Sequence, residues 1–251
     1  MKKLLNFGRK RLALLDEHTL EVIKKSFSST IVKVIGMIIG LGVSIFLGRT
    51  IGAEGLGIIN LSNRIINVLI IVGLLGIRQV IVKELAIAHN KKEISHIGNV
   101  IFSAYLLNGG ITLILSVLFI VLSPWLSNNI FKEPRLTYPL MIALVAMTPQ
   151  ILSRIYSSAL IGYKKIWQSN LVEQTLSLFV TGLLLIIFWL IKKNIDIIQV
   201  AISYAIGRLV VTLTVGIYWK SLFKSNHKRV FIPNQLLKTA FPLFAASIAN
   251  V

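Results

Sequence analysis

The sequence has no cysteine and few acids: nine Asp and Glu in 251 residues, against 27 Lys and Arg. Without cysteine there is no disulfide framework and no thiol-based metal site, and the redox compartment goes unread. Charged residues of either sign amount to 14%, where a soluble domain carries about 25%. That shortage, beside 55% hydrophobic residues and a mean hydropathy of +0.79, excludes an ordinary soluble domain. The sequence shows no paired-carboxylate pattern and no His-rich metal constellation, so it implies no metal site and no cofactor. In a soluble protein a net charge of +18 would point to nucleic acid. In an apolar chain it reflects topology, because Lys and Arg gather in cytoplasmic loops, and no nucleic-acid partner is expected.

Present in abundance are apolar stretches of about 20 residues, the length at which a helix crosses a bilayer. Six complete spans are expected: Phe27–Gly48, Leu56–Ile77, Ile97–Ser123, Thr137–Ser158, Trp167–Ile191 and Ile198–Trp219. A seventh starts near Thr239 and reaches Val251, rising only about 20 Å of the ~30 Å hydrocarbon core. The expected fold is an all-α polytopic membrane helix bundle, the six spans of an N-terminal bundle plus the start of a seventh. Residues 1–26 form a basic amphipathic lead-in on the cytoplasmic surface, not a cleavable signal peptide, since charges interrupt any apolar core. Residues 27–222 form the bundle, 223–238 a basic cytoplasmic linker and 239–251 the start of a second bundle. The chain then reads as the front half of a longer protein, its C-terminal bundle missing, or as a truncated product.

Orientation follows from the cations. The lead-in and the loops after spans two, four and six hold most of the Lys and Arg. The opposite side holds only Arg49, Lys132, Arg135, Lys192 and Lys193. This places the N-terminus in the cytoplasm. The loops on the outer side are short, and the longest is Pro124–Leu136.

Four cations fall inside spans: Lys33, Arg64, Arg154 and Arg208. An arginine at mid-bilayer costs about 2.5–3.5 kcal/mol on insertion scales. Arg64 and Arg208 are too deep to reach the headgroups with ease, so they are expected to face an internal cavity. Lys33 lies near the end of span one, where snorkelling is the favoured reading. Arg154 fits either snorkelling or the cavity. Polar neighbours recur at helical spacing: Asn60, Arg64 and Asn67 share a face of span two. Span four has Gln150, Ser153, Arg154 and Ser157; span five has Glu173 or Gln174, then Ser177 and Thr181; span six has Ser203 or Tyr204, then Arg208 and Thr212. Glu173 is expected to neutralise one of the intramembrane arginines. Several helices, each with one polar stripe, describe a wet and net-positive chamber, which suits an anion; guanidinium pairs well with phosphate oxygens.

The segment FLGRTIGAEGLGIINLSNRIINVLIIVGLLGIRQVIVKELA, Phe46–Ala86, resembles the polysaccharide biosynthesis, or oligosaccharide flippase, family. The resemblance lies in LGRTIG at the end of the first span, the acidic residue and GLG after it, then GLLGI and the basic VKELA. It implies membership of the multidrug, oligosaccharidyl-lipid and polysaccharide exporter superfamily, with 12 or 14 helices in two bundles around a central cavity. It further implies a multi-pass protein of the bacterial plasma membrane. Its members move undecaprenyl-diphosphate-linked sugar repeats from the inner to the outer leaflet. On this reading Arg49, Arg64 and Arg208 are the residues expected to touch the lipid diphosphate or its sugars. Arg154, Lys33, Asn60 and Asn67 complete the expected substrate-binding set, and Glu173 is a charge partner. The partners implied are the lipid-linked oligosaccharide diphosphate and the membrane lipids.

Three other readings compete. A cation-coupled drug or metabolite antiporter of the same superfamily would place carboxylates deep in the membrane, where only Glu173 qualifies. A membrane-embedded polymerase or ligase would need catalytic residues on a large outer loop, and the outer loops are short. An inactive truncated half-transporter is the third.

Overall fold

A backbone in hydrocarbon must satisfy its own polar groups, and the apolar runs of this chain do so as helices. The computed structural model describes residues 17–223 and 229–249, among which no strand occurs. The helices are α1 (Glu17–Thr50), α2 (Gly52–Leu74), α3 (Ile77–Lys91), α4 (Ile94–Trp125), α5 (Thr137–Val145), α6 (Met147–Gly162), α7 (Ile166–Asn170), α8 (Ser177–Lys192), α9 (Ile197–Leu222) and α10 (Pro233–Ala249). A π-helical stretch, Leu126–Ile130, continues α4, and another, Leu171–Leu176, joins α7 to α8.

Five helical stretches are long and apolar enough to cross a membrane, and a bent pair makes a sixth. They are Ser26–Thr50, Gly52–Leu74, Ile94–Ile130, the pair Pro134–Val145 and Met147–Gly162, Ile166–Lys192 and Ile197–Leu222. Each corresponds to one apolar run of the sequence. The chain is a multi-pass membrane protein with an all-α fold. Below, the near side is the end of the bundle at which α1 begins, and the far side is the end at which it finishes.

The bend in span four has an identifiable cause. Its two halves meet at 41° around Ala146. Pro149 has no N–H to give to the carbonyl four residues back, that of Val145. Neighbours make up for the disturbed ladder: Ser116 Oγ donates to the Leu144 carbonyl at 3.0 Å, and Thr212 Oγ1 donates to the Pro149 carbonyl at 2.7 Å. Span four is thereby stitched to spans three and six at mid-depth.

The GLLGI motif, Gly73–Ile77, is where span two ends. Leu75 and Gly76 are both left-handed, at φ 46° and 72°, and glycine takes this conformation without a Cβ penalty. Asn108 of α4 donates to the Gly73 carbonyl at 2.8 Å. The turn does not release the chain into a loop. It starts α3, whose Ile77, Val80, Ile81, Leu85 and Ala88 are buried against the bundle. Its Lys and Arg count with the cytoplasmic loops, yet the stretch is a helix. The apolar positions inside it are spaced as one helix face, and that face docks it.

Two other boundaries differ from expectation. Span three runs on through Pro124 to Ile130, so the far-side connection to Pro134 is shorter than the apolar run suggested. The helix expected to start near Thr239 starts at Pro233, with proline in its first turn, and buries Leu236 and Ala240. The lead-in expected over residues 1–26 lies, through residue 16, outside the described residues. From Glu17 the helix runs without a break into span one. Residues 250–251 are likewise outside them.

Candidate functional site

The polar stripes of spans two, four, five and six converge on one cavity of about 400 Å³, closed on the α1 side by Gly36, Met37 and Gly40. Small residues let the walls close up. A Cβ added at Gly36 of α1 would sit 2.8 Å from Thr175 Oγ1, and one at Gly207 of α9 would sit 2.6 Å from Thr181 Oγ1. Thr175 Oγ1 also donates to the Val32 carbonyl at 2.9 Å, which ties α1 to the π-helical part of span five.

Two arginines line the cavity. Arg208 lies near the centre of α9 and is 8% exposed. Its Nη2 donates to Asn63 Oδ1 at 2.5 Å, while Nη1 is buried without a partner. Arg154, mid-way along α6 and partly buried, donates from Nη2 to Asn67 Oδ1 at 3.3 Å. Asn63 and Asn67 are one turn apart on α2, so a single helix holds both guanidinium groups through amide oxygens. An amide oxygen accepts without cancelling charge, so both arginines keep their positive charge available to a ligand. Gln150 Oε1 also lines the cavity and is buried without a partner.

The one carboxylate in the lining, Glu173, is already engaged. Arg78 Nη2 lies 2.7 Å from Oε1 and 2.8 Å from Oε2, and Ser157 Oγ donates to Oε1 at 2.8 Å. Ser157 in turn meets Ser169 Oγ at 2.5 Å. Asn170 Nδ2 donates to Ser29 Oγ on α1 beside this group. Glu173 sits in the Leu171–Leu176 π-helical stretch. The wider turn brings both Glu173 and Gln174 to the cavity; irregular turns of this kind recur at functional sites.

Residues 22–251 match the family model described as polysaccharide biosynthesis protein. The chain belongs to the polysaccharide biosynthesis protein family. No curated protein and no solved structure matched.

The expected site residues of this family member separate into three groups. Arg154, Arg208, Asn67 and Glu173 line the cavity. Arg64 and Asn60 do not; they are exposed on the neighbouring face of α2, where with Asn63, Asn67 and Val68 they line an open strip of that one helix. Arg49, at the far end of α1, and Lys33, on an exposed face of α1, line neither. The hydrogen-bonded partner of Glu173 is Arg78, from the stretch after span two, while its charge also acts on Arg154 within span four. The expected site leaves out Asn63 and Arg78, which hold Arg208 and Glu173. Asn63 lies three residues after Asn60 and four before Asn67, so the stripe that marked those two also contained it.

The far side has its own charge cluster. Arg135 contacts Glu133 at 2.8 Å and Glu54, in the first turn of α2, at 3.1 Å. The hydrogen bond from Arg135 holds the Glu133 carboxyl below its ordinary value. The cluster is exposed, and screening limits its worth.

Proposed function

We propose that this protein is a flippase that moves undecaprenyl-diphosphate-linked oligosaccharide repeat units across the cytoplasmic membrane for cell-surface polysaccharide biosynthesis. The near side, with its lysines and arginines, faces the cytoplasm. The diphosphate enters the cavity from that side and is held by Arg154 and Arg208. It leaves on the far side when this bundle rocks against a second one, in alternating access. No covalent step is part of the process, and the protein is a transporter and not an enzyme.

The observation that carries this reading is Arg208: a guanidinium at mid-depth, 8% exposed, lining a cavity with Nη1 unpartnered. A buried cation with unused donors is costly unless an anion completes it. Family membership, the second guanidinium of Arg154 and the engagement of the only lining carboxylate by Arg78 support the same reading. A cation-binding chamber would have the opposite sign.

The test is made in cells that depend on this protein for polysaccharide export. Arg208→Ala should cause lipid-linked intermediates to accumulate on the cytoplasmic leaflet while the protein stays in the membrane at normal abundance. Normal export by both Arg208→Ala and Arg154→Ala would refute the mechanism.

A further inference from the structure

The proposed function gives Glu173 no part in binding. A carboxylate in the wall of a cavity that attracts an anion opposes that attraction, since it repels the ligand and occupies a cation. Its placing is nevertheless specific. Arg78, in the first turn of α3, does not line the cavity, whereas Glu173 does. The ion pair between them therefore runs through the near-side wall, with both of its contacts made by Nη2 of Arg78. The charge of Glu173 also acts on Arg154 inside the cavity.

We propose that Glu173 is a stand-in anion: it holds Arg78 while the cavity is empty, and the ligand's diphosphate displaces it there in order to bind fully. The inference rests on the function proposed above and concerns how that site is regulated. The first support is chemical. Carboxylate and phosphate oxygens make the same charge-assisted, forked hydrogen bonds to guanidinium, so the two compete for the same donors. The second is charge. A diphosphate linked at both ends carries one negative charge on each phosphate, and with Arg78, Arg154, Arg208 and Glu173 it makes a neutral set.

The third support is that the exchange leaves little unpaired. Ser157 donates to Glu173 Oε1 at 2.8 Å, but the Ser169 carbonyl lies 3.3 Å from the same hydroxyl. When the carboxylate leaves, Ser157 has a second acceptor in place, so no buried hydroxyl is orphaned. The side chains of Arg78 and Glu173 are 37% and 16% exposed, so they trade partners in contact with water and not in a dry core. A carrier must also let go of what it binds. A carboxylate ready to retake Arg78 weakens the bound state and speeds release.

The purified protein in lipid nanodiscs is titrated with undecaprenyl diphosphate. Glu173→Gln removes the competing anion and should bind the probe about tenfold more tightly than wild type, the worth of a hydrogen bond to a charged group. A purely structural role for Glu173 predicts no gain. Ser157→Ala loosens the carboxylate without removing it and should tighten binding by about twofold to threefold. Glu84 is a near-side carboxylate bonded to His96 at 3.1 Å and outside the cavity lining; Glu84→Gln should leave affinity within about twofold.

Affinity at or below the wild-type value in Glu173→Gln would overturn the inference. If that variant does not fold, affinity at or below wild type in Ser157→Ala would overturn it. An equal gain in Glu84→Gln would do the same, because the effect would then be general charge and not competition at Arg78. No binding by the wild-type protein or by any variant would refute the flippase reading itself, a result distinct from binding without the gain.

Discussion

Arg208 of span six donates to Asn63 of span two across 2.5 Å, although the two residues are 145 positions apart in the chain. The bond joins two helices, each at its middle. One end is a fixed charge and the other a neutral amide. The pair therefore orients a guanidinium without neutralising it, which a carboxylate in the same position would not do.

Asn63→Asp tests that distinction directly. The shape is kept and the acceptor becomes an anion, so Arg208 is stabilised but no longer free to attract a phosphate. The variant should melt no lower than the wild-type protein in detergent, and transport should drop by about tenfold or more, equivalent to ~1.4 kcal/mol or more. Asn63→Leu should instead lower stability by about 1.5–3 kcal/mol, since it removes a hydrogen bond to a buried charge. Thermal unfolding alongside a transport assay separates the two outcomes.

A second prediction concerns the group around Glu173. Arg78 and Ser157 both bind this carboxylate, and its side chain is 16% exposed. Glu173→Gln should destabilise the protein by about 1–3 kcal/mol by leaving Arg78 without its anion. Combining it with Arg78→Met should cost less than the two single changes added together, because the residues share one interaction. Additive losses in thermal unfolding would show that the pair is energetically independent.

The glycines give a packing contrast within one fold. At Gly207 a methyl group would meet Thr181 Oγ1 at 2.6 Å and the Ser177 carbonyl at 2.9 Å. Overpacking of this kind costs about 1–3 kcal/mol. At Gly42 an added Cβ meets nothing within 4 Å, and alanine is the better helix former by roughly 0.5–1 kcal/mol. Gly207→Ala should therefore lower the melting temperature and Gly42→Ala should hold or raise it. The same melting temperature for both variants would contradict the close approach of α8 and α9.

The far-side cluster sets a pH prediction. The Glu133 carboxyl is held below its ordinary value by the hydrogen bond from Arg135. A depressed carboxylate contributes stability above its unfolded-state value and loses that contribution as pH falls through its folded-state value. The link should thus be intact at neutral pH and open only under acid conditions. Carboxyl titration by NMR should find Glu133 below the usual glutamate range, and Arg135→Gln should return it there.

What could be read in advance follows from how far each signal is local. The six spans were legible because each is an apolar run of membrane length. The mid-depth position of Arg208 followed from counting residues to the span ends. Arg78 was not legible: it lies just past the GLLGI turn, and only the three-dimensional docking of α3 turns it toward Glu173. The choice between Glu173 and Gln174 could not be made from a 3.6-residue period, because the π-helical stretch breaks that period and brings both to the cavity. Asn60 and Asn67 were correctly seen to share a stripe with Arg64, but a stripe broad enough to include Asn63 faces two spaces, and sequence alone does not divide them. The family was legible in Phe46–Ala86 because that segment combines the far-side turn between spans one and two with the glycine break that ends span two.

The measurement that bears most directly on the anion-binding cavity is transport by reconstituted protein. Vesicles containing wild-type, Arg208→Gln or Arg154→Gln protein are loaded with a fluorescent undecaprenyl-diphosphate-linked sugar, and its passage between leaflets is timed. Both variants should be correctly folded and slower by about tenfold or more, ~1.4 kcal/mol or more in the barrier. Passage at the wild-type rate in both would mean that these guanidinium groups do not hold the diphosphate.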